Sequence, residues 1–517
     1  MTARMMLAAA FGVAGLATVG LSATLDVLES GLKPADVARR PYLDYARECL
    51  DLLIEHGTDR YGKAHSPMLM NILDVRSRMC PANPLKVDEA WRVTRRGRRG
   101  PGGGNAYMDM PTYRAMELVS EATGDGRYAA FAARSLGHTL RELVDEKGLW
   151  WWGWHRHYDA HRDVRTGHSG NHHEIHIQQI VWPMLWAIDR EAVAREIEAI
   201  WTWHICDKAT GECNRHADGR RGCDFAMSGG EMLQAFAFLY AKTREAKWLD
   251  RARLVADYYW KARNPETGLI PNRPNAGKAR FDGSHFDTSI TAFHCRGLLQ
   301  AGKLTGDERF TRYALAYLKA YARLGYDAEA RRFWGSLSLD GQPVRGPRIA
   351  GGYAQYEPRG HIDLWQPYIA GYEHPLATAQ VYAYASGLAK DPALLEAARR
   401  WADCIRRAFP ARACEATSWY GEYARHWAPH GTYAGHYGRT VSFLLAMHAA
   451  TGEAEFLAFA REVADEAVSR LAYRGLLRGH PAKPTYEAAD GVGYLLVALV
   501  QLDSAVRGGK ARGFENW

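Results

Sequence analysis

The residues best suited to chemistry lie between Gly148 and Ile177, GLWWWGWHRHYDAHRDVRTGHSGNHHEIHI, which holds four Trp and seven His, with Glu174 directly after His172 and His173. Imidazole and carboxylate together supply metal ligands or proton-transfer groups, and Trp supplies flat apolar faces of the kind sugar rings stack on. The first constellation is therefore His155, His157, His161, His168, His172, His173, Glu174 and His176. A mixed imidazole and carboxylate set suits a divalent ion, with Mn, Ca and Zn all compatible. The order His172-His173-Glu174-Ile175-His176 is not HExxH, so a thermolysin-type protease is disfavoured.

A second cluster follows at Asn214-Arg215-His216-Ala217-Asp218-Gly219-Arg220-Arg221. An adjacent Arg-His pair could place His216 on a metal and Arg215 beside a substrate; it reads equally as a surface turn with paired charges. A third, Arg280-Phe-Asp282-Gly-Ser-His285-Phe-Asp287, offers two carboxylates, although an N-cap role for Ser284 or Asp287 explains the run almost as well. Later come Tyr353, Tyr356, Arg359, His361, Trp365, Tyr372, Glu373 and His374, then Trp419, Tyr420, His426, Trp427, His430, Tyr433, His436, Tyr437 and Arg439. Aromatics in that company suggest stacking platforms, and the Arg and His among them suggest rings that carry acid groups. Trp154, His172, Arg220, His285, Tyr356 and Arg439 are the candidate substrate contacts.

These residues need elements to hold them, and the chain supplies a repeat of about 60 residues. Equivalent turns recur at Thr123–Tyr128, Thr243–Trp248, Thr305–Phe310, Lys390–Leu394 and Thr451–Phe456, with a degenerate one at Ile188–Glu191. Each lies between two apolar runs of helical period. Helices before the turns are predicted at about 109–122, 174–187, 227–242, 287–303, 375–388 and 434–450, and after them at about 127–145, 190–205, 246–262, 307–323, 392–408 and 453–472. Tyr42–His56 and Tyr486–Asp503 complete fourteen helices in seven pairs. The second member of each pair is charged on one side and reads as an outer helix; the first is rich in Ala, Gly, Leu and Phe and reads as an inner one. The expected fold is all-α, an (α/α)7 toroid of helical hairpins with long rim loops and a small β-hairpin within 324–374. The candidate residues fall in the long links 146–173, 206–226, 263–286, 324–374, 409–433 and 473–485, so function belongs at that rim. Glu174, opening an inner helix, would point across the mouth.

The totals agree with an ordinary globular chain: 517 residues, 47% hydrophobic, net charge +8. That charge is too modest to imply nucleic acid, and the basic run Arg92–Arg99 lacks interleaved aromatics. Met1 to Ala23 reads as a secretory signal peptide, leaving 24–517 as a single toroid that is periplasmic or secreted, without a membrane partner once mature. Eight cysteines show no CxxC pair, so zinc ribbons and thioredoxin-like motifs are unsupported. Cys213–Cys223 and Cys404–Cys414 are candidates for bridges after export, and buried thiols are an equal reading.

The motifs His155 in GWHRH, Glu174 in NHHEIH and Arg215-His216 in NRHADG resemble polysaccharide lyases with helical toroids, most closely the family 2 pectate lyases. Thr58-Asp-Arg-Tyr-Gly62 followed by Ser66-Pro-Met-Leu69 is similar to the opening motif of such enzymes. The resemblance implies an (α/α)7 barrel that holds a divalent metal through His155, Glu174 and His216, with His157 and His172 as alternatives to His155. It also implies Arg215 as the Brønsted base. The activity implied is β-elimination on a uronic-acid polysaccharide. If Arg215 only clamps the substrate carboxylate, a Tyr or His of the rim (Tyr433, His436 or Tyr356) must be the base. Two other classes stand beside it: a glycoside hydrolase on the same toroid, using two carboxylates from Asp282, Asp287, Glu357, Asp363 and Glu373, and a glycan-binding protein without turnover.

Overall fold

The structure, a computed structural model, describes residues 28–82, 102–167, 173–175, 178–273, 284–347, 357–366, 373–411 and 428–509. The expected signal peptide, the basic run at 92–99, His168, His172, His176, Tyr356, Asp282 and Cys414 lie outside the described residues.

After a single-turn helix α1 (Pro34–Val37), the chain forms α2 (Tyr42–Gly57), α3 (Met110–Thr123), α4 (Arg127–Glu142), α5 (Trp182–Ile188), α6 (Arg190–His204), α7 (Ala226–Thr243) and α8 (Ala246–Lys261). It continues through α9 (Cys295–Thr305), α10 (Glu308–Leu324), α11 (Pro375–Ala389), α12 (Pro392–Ala408), α13 (Ala434–Thr451), α14 (Ala454–Leu471) and α15 (Val492–Val506). The fold is mostly helical, and the alternation of inner and outer helices follows the expected order. Helices α7, α11, α13 and α15 are buried over most of their length, so they stand in the inner layer. In α12 the buried residues Leu394, Ala397, Ala398, Trp401 and Ile405 recur on one stripe, which makes it an outer helix with a wet face. Inner neighbours pack as α3 on α15, α15 on α13, α13 on α11 and α7 on α9, and α2 from the start of the chain lies on α15 from its end. The seventh hairpin is thus made of both ends of the chain. One continuous apolar core runs between the layers.

The short turns have a local cause. Asp189, Asp307 and Asp391 cap α6, α10 and α12, each accepting from a backbone N–H of the first turn. Gly306 ends α9 at φ +73°, a left-handed conformation that glycine adopts without steric cost.

Three elements differ from expectation. The helix predicted at 174–187 is only α5, because Pro183 has no N–H and must sit in a first turn; residues 173–175 are non-helical. Glu174 therefore does not open an inner helix. The helix predicted from 287 begins at 288, directly after the short strand His285–Asp287, and winds through a π-helical turn, Ile290–His294, before α9. The one predicted from 486 starts later, because Thr485–Glu487 pairs antiparallel with Ile72–Asp74.

Thirteen short strands appear among the described residues, and none closes a barrel. Those near the site are β2 (Gly103–Gly104), β3 (Arg156–Asp159) and β4 (Val164–Gly167), which form one three-stranded sheet, and β5 (Ile205–Asp207) with β6 (Glu212–Cys213). The expected hairpin within 324–374 is Tyr326–Asp327 against Arg332–Phe333, and Ser336–Ser338 beyond it pairs with β7 (His285–Asp287). Cys213, Cys223 and Cys404 are free thiols, so the Cys213–Cys223 bridge is absent; Cys213 Sγ instead lies 3.2 Å from the Tyr259 hydroxyl. Among the described residues no helix is long and apolar enough to cross a membrane.

Candidate metal centre

Glu174 reaches the rim on a stretch held by backbone contacts. The Trp154 N–H donates to its carbonyl at 3.1 Å. Gly153, at φ +100°, lies so close that a Cβ there would collide with that carbonyl. The bend is clamped by Asn105, whose Nδ2 donates to the carbonyls of Gly153 at 2.7 Å and Arg156 at 2.9 Å. Arg156 is fully buried, paired with Asp145 at 2.7 Å and stacked on Trp151. The result is that His155 turns toward Glu174 while Arg156 turns away from it. Of the two described candidates for the first imidazole, His155 reaches Glu174; His157 lies buried, its pKa pushed down to about 4 by burial.

The second half comes from the β6–α7 link. Asn214 accepts from the His216 N–H at 2.6 Å, and its Nδ2 donates to Asp218 and, at 2.7 Å, to the Arg220 carbonyl. Arg215 N–H donates to the Cys223 carbonyl at 3.2 Å. This tight turn projects Arg215 and His216 to the same carboxylate: Arg215 Nη1 lies 2.9 Å from Glu174 Oε1, and His216 Nε2 lies 3.4 Å from Oε2. His155 Nε2 is 2.5 Å from the same Oε2. Glu174 is 1% exposed, so its charge is compensated by these neighbours rather than by solvent.

One ligand atom each from His155, Glu174 and His216 lies within 4.8 Å of the others. Neighbouring donors around a divalent ion stand roughly 3 to 3.5 Å apart, given metal–ligand bonds of about 2.1 Å. Two imidazole nitrogens and one carboxylate oxygen at this spacing therefore fit a divalent cation, with Arg215 on the remaining oxygen.

Behind the trio, Glu196 and His204 of the outer helix α6 are fully buried. Burial lifts the Glu196 carboxyl well above its ordinary range. Burial first, and then Arg156, hold the His173 imidazole down at about 3; burial and then His173 hold His204 well below its usual value. Sequence reasoning missed Asn105, Asp145, Glu196 and His204, because each acts through a contact distant in the chain, although Glu196 and His204 do fall on the apolar stripe of α6 with Val193, Ile197 and Ile200.

The other expected residues are placed elsewhere. Trp150, Trp151, Trp152 and Trp154 are all buried, so they build the core beneath the loop rather than offer open faces. Arg220 is exposed and pairs loosely with Asp218. His285 Nδ1 lies 2.6 Å from Glu357, whose other oxygen accepts from Arg359 Nε at 2.9 Å. Asp287 is tied to Asn272 Nδ2 at 2.7 Å, and burial raises its pKa to about 6. Arg439 donates to Gln380 at 3.0 Å and lies over Tyr494. Tyr433 packs on His436 and His480, and the His436 pKa falls to about 3 through burial and Arg439.

A family model described as periplasmic pectate lyase matches residues 110–224. That span contains His155, Glu174, Arg215 and His216, and the resemblance expected from the motifs is borne out over it. Among solved structures, unsaturated glucuronyl hydrolase from Bacillus sp. GL1 is similar at 14% identity over 92% of this chain and 100% of that one, with a TM-score of 0.49. A family 76 glycoside hydrolase from a bovine Bacteroides thetaiotaomicron strain is similar at 10% identity over 90% of this chain and 78% of that one, TM-score 0.47. A D-mannose isomerase is similar at 9% identity over 90% of this chain and 100% of that one, TM-score 0.46.

Proposed function

We propose that the chain is a polysaccharide-active enzyme of the periplasm or exterior, a lyase that cleaves uronic-acid glycans by metal-assisted β-elimination. The observation that carries this reading is the convergence of His155 and His216 on one oxygen of Glu174 with Arg215 on the other. The family match over the same stretch supports it.

His155, Glu174 and His216 would hold the cation. When bound, it would stabilise negative charge on the uronate carboxylate and oppose positive charge on Arg215. Arg215 binds beside the sugar acid and, in its neutral form, takes the proton from C5. The electron pair of that C–H bond becomes the C4–C5 double bond, the C4–O bond breaks, and the departing oxygen takes a proton from solvent. The site's own contribution is position: a buried, pre-aligned guanidine needs no reorganisation as charge develops. Arg215 is favoured over Tyr433 and His436 as the base because it alone of the three is seen on the carboxylate shared by the two imidazoles.

The test is a screen of uronate polymers, followed by near-ultraviolet absorbance of the unsaturated ends, with and without chelator and with Mn, Ca or Zn restored. Chelator-sensitive growth of the chromophore is expected. Reducing ends without the chromophore, indifferent to chelator, would identify a hydrolase; binding with neither product would identify a glycan-binding protein.

A further inference from the structure

Glu174 and Arg215 sit on separate rim links, yet their side chains meet within hydrogen-bond distance. The residues immediately before each, His173 and Asn214, are joined to one another through the outer helix α6. His173 Nε2 lies 3.2 Å from Glu196 Oε1, and its Nδ1 lies 2.9 Å from His204 Nε2. His204 Nδ1 lies 2.9 Å from the Asn214 carbonyl, and the Asn214 N–H returns a bond to the His204 carbonyl at 2.7 Å. The Trp150 N–H, from the start of the loop that carries His155, donates to Glu196 Oε2 at 2.8 Å. Glu196, His173 and His204 are all wholly shielded from solvent.

The direction of these bonds follows from donor and acceptor chemistry. A carbonyl only accepts, so His204 Nδ1 donates to Asn214. His204 Nε2 then accepts from His173 Nδ1, while His173 Nε2 faces Glu196 Oε1 at 3.2 Å as a close contact without hydrogen-bond alignment. Imidazole rings are rigid spacers, and α6 is anchored in the core. We propose that Glu196, His173 and His204 form a buried positioning chain, anchored on α6, that fixes Glu174 relative to Arg215 and His216 and thereby sets the divalent-cation affinity of the site. The affinity clause rests on the metal-assisted reading above; the positional clause does not.

The full-length protein tests it in three variants. Glu196→Gln preserves both ends of its contact, an N–H toward His173 and a carbonyl toward Trp150. Glu196→Asp keeps the chemistry and shortens the reach by one methylene. His204→Leu interrupts the chain. Manganese titration by calorimetry should show Glu196→Gln within about threefold of the parent, and the other two weaker by about ten- to a hundredfold. Crystal structures of Glu196→Asp and His204→Leu should show the Arg215–Glu174 contact opened. A merely structural role would lower melting temperature and leave the manganese affinity of the folded protein and that contact unchanged, which would overturn the proposal. A Glu196→Gln variant as weak as Glu196→Asp would also overturn it. If the parent protein binds none of Mn, Ca and Zn, the metal-assisted reading falls, and the contact in the variants decides the positioning by itself: opened, it stands; intact, it does not.

Discussion

Glu174 answers to three partners at once, and each substitution there separates a different function. Glu174→Gln keeps size and removes the charge that faces the buried Arg215. Breaking a buried pair in this way costs about 3–5 kcal/mol, so a clear fall in melting temperature is expected by calorimetry together with loss of chelator-sensitive activity. Arg215→Lys keeps the charge and loses the planar fork, so stability should change less while kcat on the responsive uronate polymer drops by about 10²-fold or more. A variant with unchanged kcat would move the base elsewhere. The residue types were legible in the chain as written; which imidazole faces the carboxylate was not, because His155 sits on the bend just before β3 while His157 lies within that strand, a boundary that residue spacing does not mark.

At the scale of elements, the site depends on how close two loops approach. Gly153 has its α-carbon against the Glu174 carbonyl in a left-handed conformation. Gly153→Ala should therefore cost about 1–3 kcal/mol in thermal stability and weaken divalent-ion binding, because relief of the clash moves Glu174. Manganese titration checks this, and wild-type affinity in the folded variant would show that the loop tolerates the shift. The helix periods were read almost to their ends, since apolar spacing and capping residues are local. The miss at 174–187 was also local: Pro183 marks a helix start, and the polar groups around Glu174 serve contacts across the rim instead of an i to i+4 ladder.

For the whole molecule, the buried histidines make stability depend on pH. His157 and His294 are held at about 4 and His436 at about 3, mainly by burial. These folded-state values lie below the unfolded one of about 6.5, so the folded protein binds fewer protons in mild acid. Their contribution is complete above about pH 6.5 and is lost as pH falls toward 4. Each costs about 2 kcal/mol between pH 6.5 and 5. Asp287, lifted to about 6 by burial, works in the opposite sense, losing its stabilisation as pH rises from about 4 to 6. His157→Leu isolates one share: its melting temperature should fall less than the parent's from pH 7 to pH 5. Equal slopes in the two proteins would contradict the burial of His157.

By itself the amino-acid sequence determined the alternation of inner and outer helices, the long links that carry the candidate residues, and the residue types that could hold a cation beside an arginine. These are carried by periodicity, capping and short motifs, all local in the chain. Only the tertiary structure decided that His155 rather than His157 faces Glu174, and that Glu196 and His204 lie buried behind the site. Those facts depend on where the backbone returns after tens of residues, and a side chain's partner at that separation leaves no trace in the spacing of its neighbours.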